Sequence, residues 1–299
     1  TWARSLGNVL RAGVERTGTY GAGLVRLLHE QGIEVWEINR PDRAKRRLKG
    51  KSDPTDAESA ARTVLSGEAV AMPKLQSGVA EALRTLSVAR RSAVKARTQA
   101  INQLRSLLIS APADLRERLW KTKPEQCVAG CARLRNVEGN VLLKTLTATL
   151  RLLAKRWLML SAELKDLDAT LDRLTNQSAK RLRNQFGVGP QTAAILIAVA
   201  GDNPERLRNE AALAALCGAS PLQASSGKTA RHRLNRGGDR SANNALWTIA
   251  MVRMRSEPRT QAYVMRRTAQ GMSNKEIQRC LKRYIVRELY PIILADLSD

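Results

Sequence analysis

NVLRAGVERTGTYGAGLVRLLHEQGIEVWEIN, residues 8–39, alternates short apolar runs with a helical stretch. Residues 9–14 and 33–38 have the apolar content and the period-two alternation of strands. Between them, residues 21–31 have the spacing of a helix that Gly32 closes. The stretch therefore predicts an α/β unit of strand, helix and strand. Because the remainder of the chain is predicted to be mostly helical, the fold class is α+β.

A basic run follows this unit and leads into a helix. It contains Arg40, Arg43, Lys45, Arg46, Arg47, Lys49 and Lys51, with Asp42 as its one acid. The sequence Ser52-Asp53-Pro54-Thr55-Asp56 then precedes a predicted helix over residues 57–65. A capping residue, a proline and acids at this place are typical of a helix start.

Leucines and one tryptophan form a heptad repeat in the middle of the chain. The steps of 4 and 3 residues predict a coiled coil, since a helix inside a globular bundle has a wider and less regular apolar stripe. A basic helix predicted over residues 79–110 is one candidate partner, and a second subunit is the other. The repeat runs through Leu146, Leu150, Leu153, Trp157, Leu160, Leu164, Leu167, Leu171 and Leu174.

The C-terminal third is predicted to be a helical domain interrupted by a polar, basic loop over residues 220–238. Helices are expected over residues 210–217 and 240–255, on either side of this loop. The last helix begins with Ser273-Asn274-Lys275-Glu276, which has the spacing of a capping box.

The net charge of +24 indicates a polyanionic partner and argues against an ordinary metabolic enzyme. Aromatic residues make up 3% of the chain, too few for single-strand binding by repeated base stacking. The longest apolar run, residues 193–200, is far shorter than the roughly 20 residues that cross a bilayer, so no membrane span is expected. The cysteines, Cys127, Cys131, Cys217 and Cys280, lack zinc spacing and are expected to be reduced and mostly buried.

Gly187 and Gly189 lie in a segment, residues 187–193, that is similar to the hairpin of helix-hairpin-helix modules. Glycines there allow a phosphate to approach the backbone and the next helix N-terminus. The alternative is a tight helix-to-helix turn with Pro190 at the first helical position.

Three acids are candidate metal ligands. Asp53 and Asp56 are three residues apart at a helix start, so both carboxylates would face one cation. The alternative is that Asp53 caps the helix and Asp56 occupies its first turn, as any helix start requires. Glu15 follows a predicted strand in a region with few acids, where it is either a third ligand or a solvated side chain.

The polar loop contains Ser225 and Ser226 before Gly227. A serine beside a glycine would be exposed at a sharp turn, with cations to hold a phosphate against its hydroxyl group. From the loop alone, a flexible basic segment that binds backbone phosphates is the favoured interpretation. The cations are Lys228, Arg231, Arg233, Arg236 and Arg240.

Taken together, these segments resemble the DEDD transposases of the insertion-sequence one-ten family, relatives of the pilin-gene invertase. The resemblance rests on residues 13–21, 39–41, 51–57, 187–193, 225–228 and 236–239, in this order. It covers nearly the whole chain. It implies a RuvC-like (RNase H-like) domain over residues 1–75, a basic helix and coiled coil over 76–178, and a C-terminal transposase domain over 179–299.

The resemblance also implies a catalytic apparatus. Four acids of the family bind Mg²⁺ or Mn²⁺, and the matching positions here are Glu15, Asp53 and Asp56. The fourth acid belongs to a strand upstream of Thr1, so we expect a chain without its first strand and with impaired catalysis. Ser226 matches the family's nucleophile, with Ser225 as the alternative. The serine attacks a DNA phosphodiester and forms a phosphoserine–DNA intermediate.

The implied partners are double-stranded DNA at element ends and target, a guide RNA, and further copies of the chain in a dimer or tetramer. The expected location is the cytoplasm of a bacterium, at the nucleoid. The acids and the serine belong to different domains, so the active site is composite, formed within one chain or, as we predict, across subunits. The alternatives are a non-catalytic dimeric DNA-binding protein and a RuvC-like metal-dependent junction nuclease.

Overall fold

A computed structural model describes residues 2–38, 50, 52–135, 140–225 and 232–298 of the 299-residue chain. Within these ranges the chain is mostly helical with short strands, as the α+β prediction expects. It divides into two compact units. One contains Thr1–Ala82 and Ser178–Asp299, and the other contains Leu83–Gln177.

The N-terminal segment forms a parallel pair of strands between helices. Its elements are α1 (Trp2–Ser5), β1 (Arg11–Glu15), α2 (Ala22–Glu30), β2 (Glu34–Ile38) and α3 (Asp53–Leu65). The strand–helix–strand prediction is confirmed, although both strands begin later than expected, and Glu15 pairs with Ile38. Val14 packs on the α2 side of the sheet, so the next residue, Glu15, lies on the α3 side.

Gly13 allows α3 to lie directly against β1. A Cβ atom at this position would come within 2.9 Å of the Ala60 carbonyl oxygen and of Val64 Cγ2. Ala60 and Val64 are buried together with Ile38 of β2. The missing side chain therefore brings the helix that begins with Asp53 close to the strand that ends with Glu15.

The second unit is built on two long helices, α4 (Val79–Ile109) and α7 (Val141–Ser178). Arg90 of α4 pairs with Asp168 near the C-terminal end of α7, whereas Leu104 packs in one cluster with Leu150 near the N-terminal end. The helices are therefore antiparallel. Between them, α5 (Ala113–Leu119) and α6 (Pro124–Ala132) close the far end of the pair.

The heptad positions of α7 are covered largely by α4. Ala93 packs with Leu160 and Leu164, and Arg97 lies over the Trp157 ring at 5.6 Å. The basic helix is thus the partner of the repeat within this chain. The second subunit, which the sequence left open as a partner, is not needed to bury these positions.

The C-terminal part packs around one long central helix, α13 (Asn274–Leu297), which contacts most of the other elements. Its capping box at Ser273 and Glu276 is confirmed. A short hairpin, formed by β3 (Leu222–Gln223) and β4 (His232–Arg233), and two helices, α8 (Lys180–Arg183) and α12 (Pro258–Ala269), are absent from the sequence prediction. The elements are α8 (Lys180–Arg183), α9 (Pro190–Ala200), a 3₁₀ turn (Pro204–Arg206), α10 (Glu210–Leu216), β3 (Leu222–Gln223), β4 (His232–Arg233), α11 (Arg240–Ser256), α12 (Pro258–Ala269) and α13 (Asn274–Leu297).

Residues 70–78, which we call the connector, join the sheet to the C-terminal part in one compact unit. On the sheet side, Glu37 N donates to the Ala71 carbonyl oxygen at 2.8 Å. On the other side, Lys74 Nζ donates to the Ala198 carbonyl oxygen at 2.7 Å, and Arg206 Nε donates to that of Met72 at 2.9 Å. The sheet is therefore tied to the domain that carries the polar loop over residues 220–238.

The cysteines are free thiols, and Cys127, Cys131 and Cys217 are buried, as predicted. Burial raises the pKa of Cys131 and of Cys217 to about 12, so both stay protonated at neutral pH. None of the helices in the described ranges is both long and apolar enough to cross a membrane.

Candidate active site and nucleic-acid interface

Asp53 and Asp56 both lie in the first turn of α3, but neither caps it. Ser52 is the N-cap, and its Oγ accepts a hydrogen bond from Thr55 N at 3.4 Å. The alternative that made Asp53 the capping residue is therefore wrong by one position. Because Ser52 performs this role, capping does not account for the exposed carboxylate of Asp53.

Glu15 ends β1 on the side of the sheet that α3 covers. Its Oε1 atom is buried and has no hydrogen-bond partner among the described residues. A buried carboxylate oxygen without a donor is costly unless a cation compensates it. This observation fits a hard divalent cation, which prefers carboxylate oxygens.

The three acids do not by themselves complete a metal site. In the described part of the chain, no three Asp, Glu, His or Cys side chains are grouped closely enough to hold an ion. Glu15, Asp53 and Asp56 thus share one side of the sheet without forming a group of three ligands.

The turn between α8 and α9 contains the two predicted glycines in different roles. Gly187 has φ +82°, and a Cβ there would come within 3.3 Å of the Ile249 carbonyl oxygen, so this glycine packs against α11. Gly189 has open space on its Cβ side, and its N–H donates to Thr192 Oγ1 at 2.9 Å. Pro190 is the first residue of α9, as the helix-turn alternative predicts.

Arg253 fixes this turn from the inside. Its Nε donates to the Phe186 carbonyl oxygen at 3.0 Å, and its two terminal nitrogens bond Glu288 of α13 at 2.8 Å each. The side chain is almost fully buried. The backbone that leads into α9 is therefore rigidly attached to the domain core.

The polar loop over residues 220–238, which we call the serine loop, has a rigid base. A Cβ on Gly238, at φ +82°, would lie 2.7 Å from the carbonyl oxygens of Ala215 and Leu216, and closer still to Gly218 N. Asp239 N donates to the Leu216 carbonyl oxygen at 2.6 Å. The two ends of the loop thus meet backbone to backbone, which only glycine permits here.

Asn243 of α11 strengthens the same base. Its Nδ2 donates to the carbonyl oxygens of Cys217 and Gly218, each at 2.9 Å. Its Oδ1 accepts a hydrogen bond from Lys282 Nζ at 2.8 Å. Sequence reasoning missed both residues, although Lys282 is a cation within the apolar stripe of α13, an exception to the helical pattern that could have been noticed.

The predicted loop residues are only partly described. Ser226, Lys228 and Arg231 lie outside the described residues, while Ser225 is exposed. Arg233, Arg236 and Arg240 are also exposed, the last at the start of α11. The described cations are therefore accessible to a polyanion at the base of the loop.

The comparisons with known proteins agree with these features. Residues 1–111 match a DEDD transposase model of the insertion-sequence one-ten (IS110) family, and residues 179–265 match the model described as transposase IS116/IS110/IS902 family. The curated proteins contain no match to this chain. The two matches cover the strand–helix unit with its three acids and the domain with the glycine turn and the serine loop. The chain belongs to the IS110 family of DNA transposases.

Proposed function

We propose that this transposase cleaves and rejoins DNA strands with Ser226 as its nucleophile. The observation that supports this most directly is the rigid base of the serine loop, formed by Gly218, Gly238 and Asn243. A nucleophile must be held in a fixed geometry against the phosphorus atom that it attacks. The described residues at the base of the loop would supply the fixed support that this geometry needs, and Ser225 is the alternative nucleophile.

The chemistry is a pair of balanced phosphoryl transfers. The serine oxygen bonds to phosphorus while the bond from phosphorus to one deoxyribose oxygen breaks, and that oxygen takes the proton that the serine loses. A deoxyribose oxygen of another strand then attacks the phosphoserine, and the serine oxygen recovers a proton. The hydroxyl released in the first step attacks, in the same way, the phosphoserine formed on the other strand, so the two reciprocal exchanges leave no free DNA end.

Glu15, Asp53 and Asp56 would hold Mg²⁺ or Mn²⁺ within a RuvC-like domain. The buried, unpartnered Oε1 of Glu15 supports this assignment. When bound, the ion polarises a phosphoryl oxygen and stabilises the charge that develops there. The three acids would each supply a ligand to the ion from the α3 side of the sheet.

Phosphates of double-stranded DNA at the element ends and target would contact the glycine turn and the serine loop. Gly189 supports this with its open side, whereas Gly187 would act by shaping the turn. The loop cations would bind the DNA backbone without reading its sequence. They are Lys228, Arg231, Arg233, Arg236 and Arg240.

A guide RNA would select the DNA sequence through base pairing.

We further propose the three-part division into residues 1–75, 76–178 and 179–299, with the middle part as a coiled coil. The chain would form a homodimer or homotetramer at the nucleoid. The acids of one subunit and the serine of another would form the composite active site.

A covalent-adduct assay tests the nucleophile. The chain is incubated with element-end DNA and Mg²⁺, and a protein–DNA adduct that survives denaturation is expected. Ser226→Ala should abolish it, and the matched variant Ser225→Ala should retain it. The reverse pattern would move the nucleophile to Ser225.

The same assay separates the alternative functions. Cut DNA ends without an adduct would indicate a metal-dependent junction nuclease. Salt-sensitive binding without cleavage would indicate a non-catalytic DNA-binding protein. Mixing Ser226→Ala with Asp53→Asn should restore the adduct if the active site forms across subunits, and should not if each chain carries a complete site.

A further inference from the structure

The strongest unassigned feature of the C-terminal part is a cavity of about 610 Å³ next to the base of the serine loop. The hairpin strand β4 and the segment that leads from Gly218 into the serine loop form one wall, and α12 and α13 form the others. Of the described residues that line it, only Glu276 carries a carboxylate, and that group is bonded to Ser273. The lining cations are Arg233, Arg267, Arg279, Lys282, Arg283 and Arg287.

Lys282 is the most informative of these residues because it is 6% exposed. Its Nζ donates to the amide oxygen of Asn243, and no carboxylate among the described residues pairs with it. A buried ammonium group is normally compensated by an anion. The protein thus holds a buried positive charge whose compensation is missing from the described part of the chain.

The neighbouring arginines add further positive charge beside Lys282. Arg279 lies on the same helix, and its charge acts together with burial to lower the pKa of Lys282. Arg267 contacts the Tyr263 ring and donates through Nη1 to Gln270, while its buried Nε has no partner among the described residues. A guanidinium fixed in this way with a free donor is suited to a phosphate oxygen.

Arg283 and Arg287 are different, because both lie beside Glu210. Arg283 Nη2 bonds Glu210 Oε1 at 2.7 Å, and Arg287 Nε is 3.8 Å from the same oxygen. These two cations are partly neutralised by the carboxylate and hold α13 against α10. Among the described residues, the cations of the cavity that have no carboxylate partner are therefore Lys282, Arg279, Arg267 and Arg233.

We propose that this cavity binds a phosphodiester group of a DNA strand, held by Lys282, Arg279 and Arg267. Lys282 also bonds Asn243, whose amide group holds the two carbonyl oxygens at the start of the serine loop. DNA bound in the cavity would thereby be held at a fixed position relative to the base of that loop. Only this positioning of the DNA relative to the loop rests on the proposed strand-transfer chemistry. Binding of DNA to the cavity does not, because binding is measured without cleavage.

The test measures binding of the full chain to a fluorescently labelled duplex DNA, its single strand and an RNA of the same sequence. Arg279→Gln and Lys282→Met are each expected to weaken DNA binding about tenfold, the usual effect of losing one charge-assisted contact. The dependence of log affinity on log salt should become shallower by about one per variant. Arg255→Gln, an exposed arginine on α11 outside the cavity, is the matched control for the loss of one charge.

Two results would overturn the proposal. One is an effect of Arg279→Gln no larger than that of Arg255→Gln on every DNA probe. The other is a loss of affinity for the RNA alone, which would assign the cavity to RNA. Thermal unfolding checks each variant, and Arg279→Gln decides the question if Lys282→Met does not fold. Failure of the adduct assay would leave these binding results unchanged, so the two proposals fail separately.

Discussion

Lys282 illustrates how a single residue can be unfavourable for folding and useful for binding. Burial, and after it the charge of Arg279, lowers the pKa of this lysine from 10.5. The unfolded chain therefore binds the proton more tightly than the folded chain does. The resulting cost to stability is fully present at neutral pH and is relieved as the pH rises toward 10.5.

We expect Lys282→Met to raise the free energy of unfolding at neutral pH by about 1 kcal/mol, because an apolar side chain of similar length replaces the buried charge. The gain should shrink as the pH approaches 10.5. The variant leaves other ionisable groups of the same cavity unchanged, namely His232 and Arg233 of β4 and Arg267 of α12. The difference between parent and variant therefore reports the change at Lys282. Calorimetry over a pH series measures the difference.

The exposed Lys275 provides the control for this prediction, since Lys275→Met should change stability by less than about 0.5 kcal/mol. A Lys282→Met chain that is less stable than the parent by the same amount at every pH would contradict the expectation. Such a result would give the lysine an ordinary structural role through its hydrogen bond to Asn243.

Gly238 is a second residue for which a close backbone contact explains the residue type. Gly238→Ala would add a methyl group 2.7 Å from two carbonyl oxygens at a residue with φ +82°. We expect a loss of about 2–4 kcal/mol in unfolding free energy, measured by urea titration, together with a loss of the covalent adduct. Gly67→Ala is matched in backbone, at φ +74°, but meets nothing within 4 Å, so it should cost only about 1 kcal/mol. Equal losses in both variants would show that the close packing at Gly238 is unimportant.

At the scale of elements, the antiparallel packing of α4 on α7 leads to a prediction about the heptad repeat. Leu164 is 3% exposed and packs on Ala93 of the same chain. Leu164→Ala should therefore lower the unfolding free energy by about 2–5 kcal/mol, independently of protein concentration. Leu152→Ala, on the same helix but 67% exposed, is the control and should have little effect. A loss that depends on protein concentration would instead indicate a seam between subunits.

The long elements could be predicted from the sequence because their periodicity is local. The helix α4 has nearly the predicted bounds, α7 contains the whole predicted heptad repeat, and α13 begins directly after Ser273 of the predicted capping box. The alternation of residues 33–38 identifies β2. The strands β3 and β4 each have two residues, too few to show a period. The alternative that places the cap of α3 at Asp53 is one residue too late, since Ser and Asp are equally good capping residues and only the backbone conformation distinguishes them.

The candidate site was less predictable than these elements. Chemistry-bearing side chains such as Glu15 and the loop arginines could be selected by type and by the family resemblance. The bond between Lys282 and Asn243 joins residues 39 apart and depends on how α13 packs on α11. No local pattern contains that information, which is why the cavity and the base of the serine loop appear only in the folded chain.

On the scale of the whole molecule, the described acids are used largely for internal pairing. Glu288 pairs with Arg253, Glu210 with Arg283, and Asp168 with Arg90, while Asp296 accepts from the N–H groups of Arg181 and Leu182. These pairs hold helices together and neutralise only a minority of the 51 Lys and Arg residues. The net charge of +24 is therefore available mainly to a partner of the opposite sign.

This charge predicts that DNA binding is dominated by counterion release. If the chain contacts about six to ten phosphates, its affinity should fall by roughly 10³- to 10⁵-fold between 50 and 200 mM salt. Fluorescence anisotropy with a labelled duplex measures the slope, and the Arg255→Gln variant calibrates the effect of one charge lost from the surface. A shallow salt dependence with strong affinity would contradict the expectation, since it would mean that base contacts rather than phosphates carry the binding. The slope also counts the phosphates that the complex covers, because each contributes about 0.9 for duplex DNA.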